Sequence, residues 1–123
     1  MSFFFEEEGA LFSGDSIPAA GHIPIYSDPA ALRASIEKLK RISSTVRLLF
    51  SSWHDPIVGE RIAETMDEGY RYIGRVDALV REIDAQEPNL SGEELSRRAL
   101  ERLGIKMPSI LPMVEASFRS HLR

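Results

Sequence analysis

The chain has no cysteine. That excludes disulfides, thiolate-bound zinc and cysteine nucleophiles, so any metal would rest on imidazole and carboxylate donors. Histidine is scarce too, with His22, His54 and His121 as the whole supply. No apolar run approaches the roughly 20 residues that cross a bilayer. The opening Met1-Ser2-Phe3-Phe4-Phe5-Glu6-Glu7-Glu8 lacks the basic region and long apolar stretch of a signal peptide. A cytoplasmic protein with no membrane partner is the expectation. Excess positive charge is also missing. The net charge of −4 argues against nucleic acid as a partner. Arg97, Arg98 and Arg102 form only a modest basic face, which reads as solvated.

What remains suits one mixed domain. The 123 residues are long enough for a modest core, and 43% hydrophobic with 28% charged is ordinary for a globular chain. Residues 2–7 and 10–13 read as strands joined by a tight turn at Glu8-Gly9. The consecutive rings of Phe3, Phe4 and Phe5 place apolar surface on both faces of the first strand, where a half-exposed strand would alternate. Gly14, Pro18, Gly21 and Pro24 mark loop. Asp28-Pro29 opens a helix, with Asp as cap and Pro at the first helical position. Leu32, Ile36, Leu39 and Ile42 form its apolar stripe. Val46 to Phe50 has strand length, and strand, helix, strand of this size predicts a crossover joining parallel strands.

Asp55-Pro56 repeats the cap chemistry and predicts the start of a second helix. Ile62, Met66, Gly69, Ile73, Val76, Val80 and Ile83 fall at alternating steps of four and three, a heptad seam of about three heptads. Gly69 inside it permits close approach of another backbone. The seam serves either the chain's own core or a helix pair between chains. Ser91 and Glu94 make a capping box for a third helix with Leu95, Ala99 and Leu103 as its stripe, ended by Gly104. A last helix is predicted from Pro108 or Ser109, carrying Leu111, Val114, Phe118 and Leu122.

Two segments carry chemistry. Leu11-Phe12-Ser13-Gly14-Asp15 and Leu48-Leu49-Phe50-Ser51-Ser52-Trp53-His54 are apolar runs that stop at a metal-binding residue. With one helix between them, Asp15 and His54 are expected at the carboxyl edge of neighbouring strands, where α/β ligand sites gather. Gly14 lets the backbone turn sharply there. With Ile23-Pro24-Ile25-Tyr26-Ser27-Asp28 following, this order resembles the C-terminal half of a metallo-β-lactamase-fold metallohydrolase.

The resemblance implies an α/β (α+β) fold: half of an αββα sandwich, a small mixed sheet with flanking helices and a helical C-terminus. Residues 1–86 would be the partial α/β unit ending in the long helix, and 87–123 a helical pair of the same domain. It also implies zinc as cofactor, in the family a two-metal site, with Asp15 bridging and His54 binding one ion. The chain departs from the family pattern. The His-x-His-x-Asp-His motif and the further histidine ligand are absent, and Trp53-His54 stands where Gly-His is usual. His22, seven residues after Asp15, is a further metal candidate, with a surface-loop role as the plainer reading. His121 reads as a solvated helix-end residue, and Tyr26 and Asp28 as loop anchor and helix cap.

With two ligands where a hydrolytic zinc site takes three and a water, no catalytic residue is assigned. Three functional expectations follow. One is a catalytically incomplete remnant that self-associates as a homodimer. A second is a truncated or split metallohydrolase needing its N-terminal half. The third is a dimeric enzyme whose composite metal site draws on Asp15, His22 and His54 of two copies. All expect an apolar sheet face, from among Phe3, Phe4, Phe5, Leu11, Phe12, Leu48 and Phe50, to meet a partner. Fold leaves the substrate undetermined.

Overall fold

The computed structural model describes residues 3–14, 17–19, 26, 28–52, 54–107 and 109–122. It is a mixed α/β structure with a small four-stranded sheet. The strands are β1 (Phe3–Phe5), β2 (Ala10–Gly14), β3 (Leu48–Ser51) and β4 (Ile57–Val58), adjacent in that order. The helices are α1 (Pro29–Arg41), α2 (Arg61–Gln86), α3 (Gly92–Leu103) and α4 (Pro112–Ser120). The chain forms two compact units. One contains residues 1–20 and 30–72, the other 21–29 and 73–123, and α2 runs from the first into the second.

In the first unit β1 and β2 are antiparallel, turned by residues 6–9 with Gly9 at φ 64°. The carbonyl of Gly9 accepts from the N–H groups of Arg47 (2.7 Å) and Leu48 (3.1 Å), which seats β3 beside β2. β2 and β3 run parallel, as the strand–helix–strand pattern predicts. Cross-strand partners share a face, so Phe4, Leu11, Leu49 and Ile57 form one row and Phe3, Phe12 and Phe50 another. Leu11, Leu49 and Ile57 are buried, and with Ile17, Ile36, Leu39, Ile62 and Met66 they supply this unit's apolar interior.

The opposite face stays open. Phe3 is 57% exposed, Phe5 52%, Phe12 40% and Val58 62%. Phe12 stacks on Phe50 (centroids 4.6 Å) and meets the edge of Phe5 at 5.6 Å. Solvent thus meets a connected aromatic row, in place of the polar residues that alternation puts on a solvated face.

The expected helix start at Asp55-Pro56 is corrected. Ile57 and Val58 pair with Leu49 and Leu48 as an antiparallel edge strand, Gly59 turns the chain at φ 65°, and α2 begins at Arg61. Two residues have no periodicity from which a strand could be read. The heptad seam of α2 serves the chain's own interior: Ile62, Met66, Ile73, Val76, Val80 and Ile83 are each at most 1% exposed. Gly69 does admit a close backbone, that of the Ile17-Pro18 loop. A Cβ there would lie 2.9 Å from Ile17 Cγ2 and 3.0 Å from the Pro18 carbonyl oxygen. Across from it Arg33 lies over the Tyr70 ring (4.8 Å), the Tyr70 hydroxyl donates to Glu37 (3.0 Å), and Lys40 pairs with Asp67, tying α1 to α2.

In the second unit the capping box forms as expected. Ser91 Oγ accepts from the Glu94 N–H at 3.2 Å, and Gly104 closes α3 in the left-handed conformation. The last helix begins at Pro112, later than the Pro108 or Ser109 expected, because Pro112 also suits the first helical position. Val114 and Phe118 are buried, whereas Leu111 and Leu122 are exposed. The predicted solvated basic face of α3 is neutralised by acids: Arg97 pairs with Glu93 and Glu94, Arg98 with Glu87, and Arg102 with Glu82.

Gly69→Val is expected to destabilise the chain by about 1–3 kcal/mol through overpacking against the Pro18 backbone. Urea unfolding of the variant against wild type measures this, and an unchanged midpoint would contradict the close contact.

Candidate functional site

The parallel pairing decides where the candidate residues leave the sheet. Gly14 is in register with Ser51, and the Ser52 N–H donates to the Gly14 carbonyl at 3.0 Å. The ladder is irregular between Phe12 and Gly14, where Gly14 takes φ 55°. β2 and β3 therefore end at the same carboxyl edge; in sequence Asp15 is the next residue after Gly14 and His54 comes two after Ser52. Beneath them Ser13 is fully buried, its hydroxyl donating to the Phe50 carbonyl (3.3 Å) across the two strands.

His54 is partly buried, with Ser51 Oγ 2.9 Å from its Nδ1. Asp15, His22 and Trp53 lie outside the described residues. The structure therefore brings together the strand ends that carry Asp15 and His54. Among the described residues no group of three or more His, Asp or Glu converges as a metal cage. Imidazole is a suitable zinc donor, and His54 is the candidate donor described at this edge, short of the three protein ligands of a hydrolytic zinc site.

His121 corrects an expectation. It is 1% exposed and forms the centre of a polar chain in the second unit. Its Nδ1 lies 3.1 Å from Asp77 Oδ1, its Nε2 2.7 Å from the Tyr26 hydroxyl, and its ring meets the Tyr26 ring edge-on at 5.4 Å. The Tyr26 N–H donates to Ser117 Oγ (2.7 Å), so Tyr26 is the anchor the sequence suggested. Partial burial pushes the Asp77 carboxyl up. The hydrogen bonds from His121 and Arg81, with their charges, outweigh burial and hold it below the ordinary aspartate value. An ionised Asp77 carboxylate can only accept, so His121 donates to it from Nδ1. No local signal marked this burial: His121 follows Phe118 by three residues, but Asp77 and Tyr26 are 44 and 95 positions away.

A cleft in the second unit is lined by Leu100, Ile105, Met107 and Ile110, with Arg97, Glu101 and Lys106 among its polar residues. His54 is not among the described residues that line it. No helix among the described residues is long and apolar enough to cross a membrane.

A sequence comparison supports a relation to the metallo-β-lactamase superfamily, with which the mixed sheet is compatible. The comparison is with the hydroxyacylglutathione hydrolase of Methylococcus capsulatus (strain ATCC 33009 / NCIMB 11132 / Bath), 30% identical over 101 residues. The match takes in 78% of this chain and 39% of that protein, so the chain spans well under half of its relative. No family model and no solved structure matches the chain.

Removing the centre of the polar chain strands two partners. His121→Ala is expected to cost about 2–4 kcal/mol in chemical unfolding. The Asp77 contribution has a definite sign in pH. Its carboxyl is depressed in the folded chain, so its stabilisation is complete above the unfolded aspartate value near 4 and fades as pH falls through the folded value. Asp77→Asn should therefore lower the melting temperature at pH 7 and flatten its decline on the acid side. Parallel acid limbs for variant and wild type would contradict this.

Proposed function

We propose that this chain is the C-terminal part of a metal-dependent hydrolase of the metallo-β-lactamase superfamily, catalytically incomplete by itself. Asp15 and His54 are its contributions to the metal centre, and further ligands come from another polypeptide segment or copy. One observation carries the reading: β2 and β3, parallel and in register, end together where Asp15 and His54 follow, on a sheet whose other face is open and aromatic. The relative is a hydroxyacylglutathione hydrolase, and that reaction is the first to assay once the site is complete. Zinc, when bound, would act as Lewis acid and source of hydroxide.

The open face also favours self-association, because a contiguous exposed apolar patch marks a partner surface. In this second reading two copies cover one another through Phe3, Phe5, Phe12 and Val58 as a homodimer. His22 belongs to this reading as a third donor of a composite site.

Light scattering for native mass, with zinc quantified on the same sample, tests both readings. A dimer with about one zinc per chain supports the composite site. A metal-free dimer supports the self-associating remnant. A metal-free monomer or aggregate that gains zinc and hydrolase activity only with a segment carrying His-x-His-x-Asp-His supports the split enzyme. Phe12→Glu is expected to shift any dimer to monomer, lowering apparent association at least 10-fold, since the charge would enter the middle of the aromatic row. A monomer that binds zinc tightly with no added segment would refute the incomplete site.

A further inference from the structure

We propose that the cleft along α3 is a docking groove for a short apolar peptide segment of another protein, held by backbone hydrogen bonds to residues 106–110 and by side chains set into the apolar lining. The cleft holds about 950 Å³, near the upper end of what ligand sites enclose. One wall is a single stripe of α3, formed by Glu93, Arg97, Leu100, Glu101 and Gly104. At 1.5 Å per residue the stripe is about 16 Å long, the length of roughly five residues of extended peptide. The apolar part of the other wall is Ile105, Met107 and Ile110, all half-buried, on the run between α3 and α4.

Two observations select a peptide over a small apolar molecule. The first is the state of the backbone. The Gly104 N–H donates to the Glu101 carbonyl (3.1 Å) and the Ile105 N–H to the Leu100 carbonyl (3.0 Å), which closes α3. Beyond them Lys106, Met107, Ser109 and Ile110 line the cleft and make no hydrogen bond within the chain among the described residues. A ligand without donors and acceptors would bury those N–H and C=O groups unpaired, which is costly. A peptide backbone supplies both kinds of partner. The second observation is charge. Arg97 is held by Glu93 and Glu94, whereas Glu101 and Lys106 form no ion pair among the described residues. One acid and one base are thus left at the cleft. A fatty carboxylate would meet Glu101 as a like charge, and an apolar amine would meet Lys106 in the same way. The peptide that fits carries a base at one end for Glu101, an acid at the other for Lys106, and apolar residues between them. No metal enters the assignment.

The test titrates the full ¹⁵N-labelled chain with a panel of end-blocked pentapeptides, lysine first, glutamate last and three apolar residues between. Binding with a Kd of about 1 mM or tighter, with amide shifts concentrated on Lys106, Met107, Ser109 and Ile110, is the expected result. Methylating the backbone nitrogens of the tightest member should weaken it by about 10-fold or more, because its donors are gone. Glu101→Lys should weaken the same peptide and strengthen one that begins with glutamate. Ile110→Asp should weaken every member, since it sets a charge in the apolar wall. Thermal melting of each variant verifies that it is folded. The proposal is overturned if no member moves these amides at that concentration, or if methylation leaves the affinity unchanged. Decanoate moving them where the peptides do not would make the cleft a small-molecule site and overturn it equally.

Discussion

The parallel pairing of β2 with β3 is the constraint from which the rest of the first unit follows. Parallel neighbours cannot be joined by a hairpin, so the chain between them must make a crossover, and α1 is part of it. The same pairing brings Gly14 and Ser51 to one edge of the sheet. It also settles the faces: Leu11 opposite Leu49 faces the interior, which leaves Phe12 opposite Phe50 on the other side. A slip of one residue would exchange these rows and bury the aromatic set.

The aromatic face of the sheet is left to solvent. A sheet is stable when its apolar face lies against a second layer, and here helices and loop cover one face while the Phe3–Phe12–Phe50 row has no cover among the described residues. Both edge strands are short, three residues in β1 and two in β4. Short edges offer little for strand addition, whereas the aromatic face is broader and exposed.

The second unit meets a different demand. Its buried polar groups are tolerated because they satisfy one another. Tyr26, His121 and Asp77 form a continuous chain, and Ser117 is bonded both to the Tyr26 N–H and to the Met113 carbonyl. Such a network costs stability when any member is removed, since the remaining members are left desolvated and unpaired. The glycine at the start of α3 belongs to the same economy of space. A Cβ on Gly92 would fall 2.1 Å from the Glu115 carboxylate, so the smallest side chain lets α4 bring that acid to the α3 N-terminus.

Residues acting on near neighbours were legible in the sequence by itself. The Ser91–Glu94 cap, the Gly104 stop, the turn at Gly9, the entry to α1 at Asp28-Pro29 and the parallel strands around it are all encoded within a few positions or one helical period. So was the convergence of the chains before Asp15 and His54, because strand, helix, strand leaves few other topologies. Tertiary structure alone decided the rest. β4 exists only because Leu48 and Leu49 offer it a ladder, and the α2 seam was equally suited to a partner chain until the chain's own residues buried it. His121 has the sequence context of a solvated helix end and is buried by Asp77 and Tyr26, which lie far away along the chain. In each case the deciding free energy comes from desolvation and hydrogen bonding between residues distant in sequence, which no local pattern records.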